Sequence, residues 1–118
     1  MPSSVLIVDD HAGFRAAARR LLELEGYVVV GEAEDGTSAL LAVRSLRPDV
    51  VLLDIQLPDF DGFEVAERLR LCPDAPNVVL TSSRDRSDYG PALTRTFACG
   101  FLPKAELSGA GIADILPA

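Results

Sequence analysis

Short apolar runs alternate with amphipathic stretches along the whole chain. Val5-Leu6-Ile7-Val8 is rich in β-branched residues and flanked by polar ones, which suits a strand buried on both faces. From residue 11 to residue 25, Phe14, Ala17, Ala18, Leu21 and Leu22 recur at helical spacing, with Arg15, Arg19 and Arg20 on another face. Gly26 stands where a left-handed cap ends such a helix. Residues 27–33 predict a second strand, placed at a sheet edge by Gly31 and Glu32. A helix over 37–46, closed by Pro48, and a third strand over 49–54 follow. The remaining pattern predicts a helix over 63–71, a strand over 78–81, a short weak helix from Pro91 to about Arg95, a strand over 100–102 and a last helix within 107–116 that Gly109 and Gly111 oppose. Strands alternating with helices make right-handed βαβ units, hence a doubly wound α/β sandwich with helices on both faces of a parallel sheet.

Composition narrows the function classes. A chain of 118 residues with 48% hydrophobic and 25% charged residues fits one globular domain, 1–118. Its net charge of −7 argues against direct nucleic-acid binding, which needs cationic neutralisation of phosphates. No run is long enough to span a membrane, and the apolar run behind the non-basic N-terminus stops at Asp9, too early for a signal peptide. Cys72 and Cys99 lack CxxC spacing and read as reduced thiols of a cytoplasmic protein.

The chemistry concentrates at strand ends. Asp9 and Asp10 end the first strand and Asp54 ends the third, so neighbouring parallel strands bring three carboxylates to the sheet edge where such folds bind ligands. Like charges that close raise one another's proton affinity, and a divalent cation or a covalent modification relieves them. Behind Asp54, Pro58 stiffens the loop and Asp61-Gly62 turns it. Asp10 alone could cap a helix; His11 adjoins the acids and could ligate a metal, but it begins the helix and has no second histidine beside it, so it reads as a surface or capping residue.

The run from Asp54 to Gly62 matches Asp-x-x-x-Pro-x-x-Asp-Gly, and with Asp9, Asp10 and Lys104 the chain resembles the receiver domain of two-component response regulators. The text Asp9-Asp10-His11 with Arg15 is most similar to receivers of regulators with a C-terminal helix-turn-helix output, although no such output is read before Ala118. The resemblance implies a five-stranded flavodoxin-like sheet of order 2-1-3-4-5. It implies that Asp54 accepts a phosphoryl group from a histidine kinase or phosphotransfer protein, with Mg²⁺ held by Asp10, Asp54 and the Gln56 backbone carbonyl, and by Asp9 through water. Lys104 would pair with a phosphate oxygen. A switch hydroxyl is implied at Thr81, which the strand pattern favours, or at Ser82, which the spacing to Lys104 favours. Phe101 stands where the family has a switch aromatic and equally suits the core. A homodimer, and signalling through the surface of the fourth helix, fifth strand and fifth helix, are further implications. Such a domain is no enzyme beyond its own phosphorylation and dephosphorylation. The rivals are a small Mg²⁺-dependent aspartyl phosphotransferase or phosphatase, which would need a second Asp where Gln56 stands, and a flavodoxin-like carrier, whose flavin phosphate Asp9 and Asp10 would repel.

Overall fold

Alternation of side chains along each strand divides the core in two. In the computed structural model, which describes residues 3–117, Val5 and Ile7 of β1 (Ser4–Val8) face one layer of helices while Leu6 and Val8 face the other. The chain continues through α1 (Ala12–Leu24), β2 (Val28–Ala33), α2 (Gly36–Leu46), β3 (Val50–Asp54), α3 (Gly62–Arg70), β4 (Asn77–Ser82), α4 (Ala92–Arg95), β5 (Gly100–Pro103) and α5 (Gly109–Ile115). All strand pairings are parallel and the order is β2-β1-β3-β4-β5, the order implied by the resemblance, with β2 at an edge as its composition predicts. Met1, Pro2 and Ala118 lie outside the described residues, so the reading of the extreme N-terminus is not addressed.

Helices cover both faces because β1 and β3 expose no polar face to water. Ala18, Leu22 and Ile112 of α1 and α5 close one side, and Ala39, Val43, Val65 and Leu69 of α2 and α3 close the other. Gly26 ends α1 as predicted: with φ +95°, it donates to Glu23 O, while Tyr27 donates to Leu22 O, satisfying two carbonyls the helix leaves open. At the end of α2 the left-handed position is taken by Arg47, φ +48°, immediately before Pro48.

The last third has the short helix, strand and final helix expected from the sequence, with two 3₁₀ turns added. A 3₁₀ turn at Arg86–Asp88 precedes α4, which is a single turn of four residues. Gly90, with φ +54°, separates the two and prevents one continuous helix. The last helix falls within its expected range: a 3₁₀ turn, Lys104–Glu106, follows β5, and α5 begins after Ser108, whose hydroxyl accepts from Gly111 N at 2.9 Å.

Candidate functional site

Parallel pairing of β1 with β3 sets Val8 opposite Leu53, so the next residues, Asp9 and Asp54, leave the sheet side by side. Both are almost wholly buried, whereas Asp10 is open to solvent. Lys104 begins the turn after β5, and its ammonium reaches back over the sheet edge, 2.6 Å from Asp9 Oδ2 and 3.4 Å from Asp54 Oδ2. The three carboxylates expected from the sequence are therefore together, and a cation is already among them.

Burial is the main reason that the Asp54 carboxyl is pushed up to about 6. Gln56 N, donating to Asp54 Oδ1 at 3.0 Å, pulls the other way; the charge of Asp9 pushes further up and Lys104 opposes it. The sequence argument from crowding thus has the direction right, but loss of water outweighs repulsion. Burial works against the Lys104 charge, yet its contacts with Asp9 and Asp54 raise its proton affinity overall.

The loop behind Asp54 is pinned at three points. Asp59 accepts from Gly36 N at 2.7 Å, Thr37 N at 2.9 Å and the Thr37 hydroxyl at 2.8 Å, fastening the loop to the N-terminus of α2. Although desolvation opposes it, these donors and Phe60 N hold the Asp59 carboxyl well below the usual carboxylate range. Asp61 caps α3 by accepting from Glu64 N at 2.9 Å. Gly62 N donates to Ile55 O at 2.7 Å, and a Cβ on Gly62 would stand 2.7 Å from both Asp54 O and Ile55 Cα, so the loop can pass behind the acid only without a side chain.

Arg15 supports the site from below, its guanidinium donating to Asp9 O at 2.7 Å. It shares Glu32 with Arg19, at 3.0 and 2.8 Å, and the Arg19 bond leads in holding the Glu32 carboxyl below its ordinary range. Sequence reasoning gave roles to neither Arg15 nor Asp59. Arg15, one helical turn beyond His11, was readable as a neighbour of the acids, whereas the partners of Asp59 are 22 and 23 residues away.

Thr81 and Ser82 turn opposite ways. Thr81 is the register partner of Asp54, its side chain is fully buried, and its hydroxyl has no hydrogen-bond partner. Ser82 Oγ instead lies 2.5 Å from the Tyr89 hydroxyl and accepts from Arg84 N at 3.0 Å. Phe101, on β5 opposite Leu80 of β4, is buried, its ring 5.8 Å from that of Tyr89. Gln56 is exposed and bridges to Asp61 through the backbone. Asp10 does not cap α1; the cap position belongs to His11, whose ring makes no capping bond.

Residues 5–113 match the family model described as the response regulator receiver domain. The chain belongs to that family. A transcriptional regulator of Pseudomonas aeruginosa is 39% identical over 104 residues, covering 88% of this chain and 50% of the relative. The transcription regulator BvgA of Bordetella pertussis is 37% identical over 106 residues, covering 90% and 51%. This receiver thus spans about half the length of those relatives. Among solved structures, the signal receiver domain of the response regulator NarL from Mycobacterium tuberculosis superposes with a TM-score of 0.82 at 36% identity, over 97% of this chain and 96% of that one. A receiver is a phosphorylation-controlled signalling domain of two-component systems, not an enzyme in the ordinary sense. Its acidic cluster presents hard oxygen donors, two of them buried, which fit a divalent cation of the Mg²⁺ class. Among the described residues no helix is long and apolar enough to cross a membrane.

Proposed function

We propose that Asp54 is the phosphoacceptor, taking a phosphoryl group from the phosphohistidine of a sensor kinase or phosphotransfer protein in the cytoplasm. The observation that carries this reading is the placement of Asp54: buried, at a strand end, beside Asp9 and within reach of Lys104. A carboxylate oxygen attacks phosphorus in line and the histidine nitrogen leaves, giving an acyl phosphate. Asp10, Asp54 and the Gln56 carbonyl would hold Mg²⁺, with Asp9 acting through water, and the ion would supply charge neutralisation during transfer. Lys104 would move its ammonium onto a phosphate oxygen.

Thr81 is the better candidate for the switch hydroxyl. It is level with Asp54 and has an unspent buried hydroxyl, whereas that of Ser82 is engaged by Tyr89. Phe101 serves as the core residue against which that movement is felt. Added negative charge at Asp54 biases the neighbouring loops and changes a surface offered to a partner or to a second copy of the chain. Its charge of −7 argues against direct DNA contact by this chain.

Intact mass after incubation with acetyl phosphate and Mg²⁺ tests the assignment. One added phosphoryl group is expected on the wild type and none on Asp54→Asn. Equal labelling of the two would assign the chemistry to another residue.

A further inference from the structure

The imidazole of His11 stands among the carboxylates, where Asp9 and Asp10 hold it by hydrogen bonding. Its Nδ1 lies 3.0 Å from Asp10 Oδ1 and 3.1 Å from Asp9 Oδ1. One ligand atom from each of Asp9, Asp10, His11 and Asp54 falls within 4.8 Å of all the others. Around an octahedral ion with bonds of about 2.1 Å, adjacent ligand atoms stand about 3.0 Å apart and opposite ones about 4.2 Å. The 3.0 Å from His11 Nδ1 to Asp10 Oδ1 matches adjacent ligand positions, while the cluster as a whole is looser than a closed shell, in keeping with Asp9 acting through water.

The ring is not needed to begin α1. Its side chain is 71% exposed and forms no cap bond. The helix start is held by backbone groups: His11 N donates to Asp9 Oδ1 at 2.8 Å, and Arg15 N donates to His11 O at 3.1 Å. Lys104 approaches Asp9 through Oδ2, so Oδ1, the oxygen facing the ring, is not the one the ammonium occupies.

We propose that His11 Nδ1 is a metal ligand that makes this pocket a mixed nitrogen and oxygen site favouring Mn²⁺ over Mg²⁺. The inference rests on the pocket being the cation site of the receiver and concerns which cation it selects. Mg²⁺ is hard and dehydrates reluctantly, so it gains little by exchanging a water for imidazole. A first-row transition ion accepts a nitrogen donor readily while tolerating the carboxylates around it. His11 therefore adds affinity for Mn²⁺ and almost none for Mg²⁺.

Calorimetric titration of metal-free protein with MnCl₂ and with MgCl₂ tests this on the wild type, His11→Ala and Asp10→Ala, together with the electron spin-echo spectrum of bound Mn²⁺. His11→Ala should weaken Mn²⁺ binding by about tenfold and leave Mg²⁺ binding unchanged. Wild-type Mn²⁺ should show nitrogen modulation from a directly bound imidazole, and the variant should lack it. Equal losses for both ions, no loss for either, or no nitrogen signal in the wild type would overturn the role of His11 while leaving the cation site standing. If Asp10→Ala binds both ions as the wild type does, the cation site itself is wrong and the inference falls with it. Folding is not at issue in His11→Ala, because the bonds that begin the helix use the backbone N–H and C=O of His11 and not its ring.

Discussion

The hydroxyls of Ser82 and Tyr89 lie 2.5 Å apart, joining the end of β4 to the loop before α4. The Tyr89 ring also packs edge-on against Phe63 of α3 and tilted against Phe101 of β5. One phenol therefore ties together three elements that surround the acidic pocket, in a region where α4 is too short to do so.

Removing either hydroxyl should weaken that tie. Ser82→Ala and Tyr89→Phe are each expected to destabilise by about 1 kcal/mol in urea unfolding, and the double variant by little more than either. Fully additive losses would show that the two groups do not depend on each other.

Burial of Asp54 makes stability depend on pH in a definite direction. Its folded value of about 6 exceeds the ordinary 3.8, so the folded chain holds the extra proton between those values. This contribution is fully present below pH 4 and lost as pH rises through about 6, with a magnitude of roughly 2–3 kcal/mol. Asp54→Asn should flatten the difference and be more stable than the wild type at pH 7 in chelator. Parallel stability curves across that window would mean that the acid is not desolvated. Asp9→Asn is not expected to behave alike, because it takes the closest partner from Lys104.

Mg²⁺ should stabilise the folded domain by mass action. At ten times its dissociation constant the gain is about 1.4 kcal/mol, readable as a higher melting temperature against a chelator control. Asp10→Ala should lose most of it. A wild-type melt indifferent to Mg²⁺ would remove the acidic pocket from consideration as a cation site.

Gly62→Ala should damage both fold and chemistry. The new methyl meets backbone on two sides, and backbone cannot swing away as a side chain can. A loss of about 1–3 kcal/mol is expected, with slower labelling of Asp54 by acetyl phosphate. A variant as stable and as reactive as the wild type would show that the loop behind Asp54 can shift freely.

What the sequence disclosed was local. Asp9 and Asp54 were legible because each ends an apolar run, and Gly26 because a helix stripe stops before it. Asp59 was not, since its meaning depends on Gly36 and Thr37, brought near only when α2 packs beside α3. Spacing and strand text disagreed over Thr81 and Ser82; pairing of β3 with β4 sets Thr81 level with Asp54, a fact of register rather than of composition. Gly109 and Gly111 opposed the last helix by propensity, yet α5 forms over both, started by Ser108, which looked like any polar residue.

Lys104 gives the resting pocket a tethered counter-ion. Its ammonium neutralises part of the acid charge and cannot diffuse away, so that part stays offset when no mobile cation is at hand. The same tether sets a threshold: an incoming cation must be worth more to Asp9 and Asp54 than the lysine already beside them. A phosphoryl group lowers that threshold, because it offers the displaced ammonium somewhere else to go.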